Sequence, residues 1–339
     1  MRVGSNPFKS AKAINKPNLI TVALLVHIPF ETGYFRECVD VLKLSLQSIY
    51  RNTTLPHDIL VFDSASDESV VDFLINEQRD GRIQYLVLSE ANVPKTAALN
   101  IILGASPGEY IAYSDSDVFF HPGWLESHME ILETYPKVGL VNGLPAPHLT
   151  HWATSSTLSI AEQTPEMKIE KGRLMSPEII ASLCEGVGRS LEDYSQEIES
   201  LEDIRLTYRG VQAYVGAHHF QFVARKSVRQ AVGPLPVTAT FHYTDERQFD
   251  EILDAAGYMR LSTPSACVFH LGNVLTAKWR EVANEFGIAL KADSQSSESV
   301  TVGNRFKQTV RDNPVVKRAL LKLYGTIFNL YYDDRKRQS

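Results

Sequence analysis

The chain has 339 residues, 44% of them hydrophobic and 22% charged, a composition that suits a globular protein with one sizeable core. Its formal net charge of −6 argues against a general nucleic-acid binder, which relies on Lys and Arg to neutralise phosphates. Cys38, Cys184 and Cys267 are widely spaced and form no C-x-x-C pair or Cys/His cluster, so they read as reduced thiols of a cytosolic protein and not as zinc ligands.

Residues 1–18 are polar, carry lysines and lack an apolar core, which reads as a loose leader without a signal-peptide pattern. The run 19–28 is apolar, contains His27 and stops at Pro29. It is too short to span a bilayer and reads as a strand of a parallel sheet covered on both faces. Over 36–50, Val39, Leu42, Leu46 and Ile49 recur at helical spacing. A second strand over 58–62 leads into Asp63-Ser64-Ala65-Ser66-Asp67, a turn suited to cap a helix over 68–78. A strand over 83–88, a short helix over 95–103, a strand over 109–114, a helix over 124–135 and a strand over 138–141 follow. This alternation predicts an α/β domain, a mostly parallel sheet flanked by helices, with ligands bound at the carboxyl ends of the strands.

The strand over 109–114 delivers Asp115-Ser116-Asp117. Alternate side chains of an extended segment point the same way, so both carboxylates can reach one divalent cation, or one can hold the cation and the other a sugar hydroxyl. Mg²⁺ and Mn²⁺ prefer such oxygen ligands and share their shell with phosphates. A D-x-D also occurs in turns and solvated loops. Here Asp63 and the D-x-D both fall at carboxyl ends of predicted strands.

Residues 145–210 break the alternation and read as a helical insertion on the α/β core, with helices over 177–184 and 191–204. Its Trp152 either stacks on a sugar or is simply buried. Alternation returns with a strand over 217–224, ending in Arg225-Lys226, in which His218 and His219 would face opposite sides. A helix from Ser227 closes at Gly233-Pro234. Asp245-Glu246 opens a helix over 247–256 that Gly257-Tyr258 ends. Two acids at that position either complement the helix dipole or supply a general base. An apolar run over 266–269 ends in His270, either a hydrogen-bonded structural residue or a metal ligand through neutral imidazole. The tail over 304–339 carries a stripe of Val316, Leu320, Leu323, Tyr324, Ile327 and Tyr331 beside Lys317, Arg318 and Lys322. Such a helix lies in a membrane interface or packs on the body of the protein or a partner subunit.

In this order, over roughly residues 19–273, the pieces resemble the family-two glycosyltransferases of GT-A (Rossmann-like) fold. The matching residues are the first strand to Pro29, Val61 to Asp67, Ala98-Leu99-Asn100, Asp115-Ser116-Asp117, Phe222-Val223-Ala224-Arg225-Lys226, Asp245-Glu246 with Gly257-Tyr258, and His270. The resemblance implies inverting, hexosyltransferase-type transfer from a nucleotide-diphosphate sugar donor to a hydroxyl of a carbohydrate or lipid-linked acceptor, in polysaccharide or glycolipid synthesis, with Mn²⁺ or Mg²⁺ as cofactor. It implies that Asp63 contacts the base or ribose and that Asp115 sits near ribose or phosphate. Pro29, Asp67, Lys95, Asn100 and Ser116 would complete the donor-nucleotide site, and Asp117 and His270 would bind the metal. The acidic pair would supply the base. The family usually reads Glu-Asp where this chain reads Asp245-Glu246; counting back from Gly257 puts Glu246 in the base position. Trp152 and His219 are candidates for acceptor contact.

The expected organisation is a leader over 1–18, a catalytic domain over 19–280 and a C-terminal helical tail over 281–339. The tail would hold the protein at the cytoplasmic face of a membrane or build a homodimer. Two rivals remain at this level. One is a catalytically inactive module of the same fold that binds nucleotide or carbohydrate. The other is a sugar nucleotidyltransferase, which usually carries a Gly-rich loop after its first strand; residues 29–35 offer only Gly33.

Overall fold

The computed structural model describes residues 16–237 and 245–291 and the single positions 4 and 6. The chain divides into a unit Met1–Lys291 and a unit Ala292–Ser339. The amphipathic tail expected over 304–339 lies outside the described residues, and no helix among the described residues is long and apolar enough to cross a membrane.

The first strand, β1 (Ile20–Val26), alternates its side chains between two cores. Val22 and Leu24 enter one that also holds Leu42, Leu46 and Ile49 of α1 (Cys38–Asn52) and Val70 and Leu74 of α2 (Glu68–Arg79). Ala23 enters a second with Leu99, Ile102 and Leu103 of α3 (Lys95–Ala105). Burying each Val, Leu or Ile contributes about 1.5–3 kcal/mol. The helices therefore cover both faces of the sheet, as the unbroken apolar run of β1 requires.

Strands β2 (His57–Ser64), β3 (Tyr85–Ser89) and β4 (Tyr110–Asp115) join β1 in parallel, in the spatial order β3-β2-β1-β4. In that register Val26 pairs with Asp63 and Leu25 with Asp115, so both carboxylates stand at the carboxyl edge, one on each side of β1. After β5 (Val118–Phe120) and α4 (Trp124–Thr134) comes β6 (Val138–Asn142). The sheet then continues through β10 (Gln221–Arg225), antiparallel to both β4 and β6, and β11 (Met259–Ser262), parallel to β6.

Residues 145–210 contain α5 (Ser155–Glu162), β7 (Lys168–Gly172), α6 (Pro177–Gly186), α7 (Leu191–Glu197) and β8 (Asp203–Tyr208). The two predicted helices are present, but the second stops at Glu197, and β8 pairs with β7 and with β9 (Val211–Val215) to extend the sheet. In β8, Ile204, Leu206 and Tyr208 are buried and alternate with Arg205 and Thr207, a period of two that a helix cannot use. His218 and His219 precede β10 in a loop and are not inside a strand, which corrects the expectation that they face opposite sides of the sheet.

The last described elements are α8 (Lys226–Val232), α9 (Asp245–Ala255), β12 (Val268–His270) and α10 (Ala277–Glu285). Gly257, at φ +80°, ends α9 as predicted, in a backbone region other residues enter only at a cost. β12 pairs antiparallel with β5, setting His270 opposite Val118 and thus one residue from Asp117.

Candidate active site

Two cavities open at the carboxyl edge of the parallel strands. The first, of about 560 Å³, is lined by His27, Tyr34, Ser64, Asn92, Ser116 and Asp117 among others. The second, of about 770 Å³, is lined by His148, Trp152, Tyr194, His218, Arg247 and His270 among others. Pro94, Lys95 and Asp115 line both, so the two volumes meet at that point.

At the junction Lys95 donates to Asp115 Oδ2 at 2.8 Å, and the Tyr113 hydroxyl donates to Asp115 Oδ1 at 2.7 Å. Asp115 is thus held in place, and Lys95 sits on α3's first residue with its ammonium between the cavities. Asp117 follows in the turn between β4 and β5. Its Oδ2 lies 3.4 Å from His270 Nε2, while its Oδ1 is buried with no hydrogen-bond partner. His270 Nδ1 lies 3.1 Å from the Gly186 carbonyl, which can only accept, so Nδ1 donates there and Nε2 is the ring atom turned toward Asp117. Burial pushes the Asp117 carboxyl above its usual range, the neighbouring His270 opposes this, and Asp115 adds to it.

These residues fit a divalent cation. The orphaned Asp117 oxygen lacks a positive partner, and a carbonyl behind the imidazole is the arrangement that orients a histidine ligand. Among the described residues no three His, Cys, Asp or Glu side chains converge on one point. Two protein ligands suit a cation that completes its shell with diphosphate oxygens and water.

Asp63 is 1% exposed. Its Oδ2 accepts from the Ser66 amide at 3.1 Å, and its Oδ1 is buried without a partner. Burial raises its pKa, which the Ser66 hydrogen bonds and the nearby His27 partly offset. His27 lines the first cavity and donates from Nδ1 to the Ser64 carbonyl. Sequence reasoning did not place it in the site, although a polar ring at the carboxyl end of an apolar strand was a visible signal.

Four predicted donor-site residues do not line either cavity, and Asp63, buried beside the wall residue Ser64, is one of them. Asp67 caps α2, accepting from the Ser69 amide and hydroxyl. Asn100 is spent on Leu235, donating to its carbonyl and accepting from its amide at 2.8 Å, with Arg229 on the same oxygen. Pro29 follows Ile28, which lines the first cavity, but does not line it itself. Arg225 donates to the Tyr110 hydroxyl and pairs with Glu133, and lines neither cavity.

In the second cavity the Arg247 guanidinium stacks 4.9 Å above the Trp152 ring. His219 and His218 both line the wall, a consequence of their lying in a loop. His148, also unanticipated, is 3.0 Å from the Tyr194 hydroxyl. Burial holds the pKa of His148 below the usual value and that of His218 well below it, so both rings are neutral at pH 7. Asp245 and Glu246 form the first turn of α9, and their side chains lie outside the described residues. Arg247 and Asp250 of the same helix line the second cavity. Gly186 was also missed: a Cβ there would stand 2.9 Å from the His270 carbonyl oxygen, so α6 and β12 touch only because the residue is glycine.

Residues 33–177, somewhat under half of the chain, match the family model described as Glycosyl transferase family 2. That stretch includes Asp63, Lys95, the D-x-D and Trp152. No curated protein sequence matches the chain. Among solved structures, the chain is similar to the mannosyltransferase PcManGT from Pyrobaculum calidifontis in complex with GDP-Man and Mn²⁺, at 14% identity and a TM-score of 0.44, over 74% of this chain and 56% of that one. It is similar to GalNAc-T7 with UDP, GalNAc and Mn²⁺, at 11% identity and 0.47, over 75% and 44%. It is also similar to S. aureus TarS 1-349, at 12% identity and 0.43, over 74% and 59%. The chain thus spans about half the length of these solved structures.

Proposed function

We propose that the protein is a metal-dependent glycosyltransferase that moves a sugar from a nucleotide-diphosphate sugar to an acceptor hydroxyl with inversion. The observation that carries this reading is the junction itself. Two cavities of ligand size share Lys95 and Asp115, Asp117 lines one and His270 the other, and the pair between them fits a cation.

In this reading the first cavity takes the nucleotide. Asp63, which does not line that cavity but adjoins its wall residue Ser64, is assigned to the base or ribose through its partnerless oxygen, and Lys95 with Asp115 meets phosphate and ribose at the junction. Asp117 and His270 hold Mn²⁺ or Mg²⁺, which when bound neutralises charge that builds on the diphosphate leaving group. The second cavity takes the acceptor, with Trp152, His219 and the neutral His148 and His218 along its wall. The acceptor oxygen forms a bond to the anomeric carbon as the bond from that carbon to phosphate breaks. The acceptor proton passes to the carboxylate at the start of α9, Glu246 in preference to Asp245. Attack from the side opposite the leaving group inverts the anomeric centre.

Calorimetric titration with UDP, GDP and dTDP, with and without Mn²⁺, tests this on the wild type and on Asp117→Ala. One diphosphate is expected to bind in the presence of Mn²⁺, with affinity at least about tenfold lower in the variant. A folded wild type that binds none of them overturns the reading.

A further inference from the structure

We propose that Arg260 is a positioning residue of the acceptor side: one buried guanidinium that ties two loops of the second cavity to the helix carrying Asp245 and Glu246. The proposal rests on the function given above for what the tie serves, but the tie itself is geometric. Arg260 lies on β11 between the apolar Met259 and Leu261 and is 0% exposed. Its Nη1 donates to the carbonyls of Trp152 at 2.8 Å and Ala153 at 3.1 Å. Its Nη2 donates to the carbonyl of Ala217 at 2.6 Å and lies 2.8 Å from Asp250 Oδ1. Asp250, on α9, is itself buried, and its Oδ2 lies 3.8 Å from His219 Nδ1.

Each segment reached this way presents a wall residue. The first presents Trp152, the second His218 and His219, and the third Arg247 and Asp250. The first also needs bracing, because Ala153 sits at φ +47°, a left-handed conformation that costs a residue with a Cβ. A fold alone does not require a charge here, since a buried ion pair can often be replaced by apolar side chains of similar volume without loss of stability. The rigid, planar fork of arginine is what reaches carbonyls from two loops and a carboxylate from a helix at once, and lysine's single ammonium cannot. Asp63, Lys95, Asp115 and Asp117 make no hydrogen bond to it, so the donor side stands independently.

Two variants test this. Arg260→Lys keeps the charge, and the double variant Arg260→Met with Asp250→Leu replaces the pair by apolar groups and guards against simple misfolding. Hydrogen exchange comes first. Peptides covering 149–156, 215–220 and 245–255 are expected to gain exchange together in both variants, while those covering β1, β2 and β4 keep wild-type protection. A gain across the whole sheet, or in only one of the three segments, overturns the tie.

The kinetic arm measures nucleoside diphosphate released from a UDP- or GDP-sugar with Mn²⁺ and water as the attacking hydroxyl. In Arg260→Lys, kcat is expected to fall about 10- to 100-fold with donor KM and diphosphate affinity within about twofold, as misplacement of one reacting side predicts. Equal loss of diphosphate affinity would make Arg260 a general structural residue. An unchanged kcat would show that the tie does not serve transfer. A wild type that neither binds nor turns over any nucleotide sinks the functional reading, and the exchange result still decides the tie.

Discussion

Asp63 and Asp117 each keep one carboxylate oxygen buried with no hydrogen-bond partner, and such a group costs stability unless a ligand repays it. For Asp63 the cost has a defined pH dependence. Its pKa is raised in the folded protein, mainly by burial, so the folded state holds the proton more tightly than the unfolded chain does. Stability therefore falls as pH rises from the ordinary aspartate range through the raised value, and levels off above it. Asp63→Asn removes that slope. The variant's thermal midpoint, compared with wild type between about pH 4 and pH 8, is expected to lie higher at the neutral end and to converge at the acid end. Its affinity for the bound diphosphate is expected to fall about tenfold, the scale of a lost charge-assisted hydrogen bond. Parallel stability curves would show that the carboxylate is not strained, and unchanged affinity would remove Asp63 from the donor site.

At the scale of elements, what the sequence revealed followed from period and from caps. Helices α1, α2, α3 and α4 and strands β1, β2, β4 and β6 were legible because each carries a long enough apolar pattern or a clear stop, such as Asp67 before α2. Strands β5, β11 and β12 were not read as strands over their true spans, because three or four residues carry no period. Yet the β5–β12 pairing is what sets His270 beside Asp117. The site residues that sequence reasoning missed share a cause. His148 and Gly186 acquire their roles from contacts with residues far along the chain, Tyr194 and His270. Conversely Asn100 and Asp67 matched the expected pattern but are occupied by Leu235 and Ser69.

Gly186 gives a test at this scale. It ends α6, its carbonyl fixes the His270 ring, and an added methyl would meet the His270 backbone at 2.9 Å. Backbone cannot rotate aside as a long side chain can, so Gly186→Ala must shift α6 or β12. The Mn²⁺-dependent part of diphosphate affinity is expected to fall about tenfold, with metal-free affinity unchanged, because the disturbed carbonyl supports the proposed metal ligand His270 and touches no proposed nucleotide residue. Equal affinities in titrations of the two proteins with Mn²⁺ would show that His270 does not hold the cation.

Over the whole molecule the described site residues fall within the unit Met1–Lys291, while the basic amphipathic stripe of the tail belongs to the unit Ala292–Ser339. In the proposed function, binding of nucleotide and attachment to a surface are expected to be separable by one cut. We propose that the tail holds the enzyme at the cytoplasmic face of a membrane, where a lipid-linked acceptor would present its hydroxyl to the second cavity. The sequence spacing predicts Leu320, Leu323, Ile327 and Tyr331 as one stripe with Lys317, Arg318 and Lys322 beside it, a pattern that gains both apolar burial and attraction to anionic lipids. Deleting 305–339 is expected to leave diphosphate affinity within about twofold while abolishing sedimentation with anionic liposomes, and added salt is expected to weaken binding of the full chain. If the truncated protein still sediments with the liposomes and instead elutes as a monomer where the full chain elutes as a dimer, the stripe is a subunit contact and the membrane assignment is wrong.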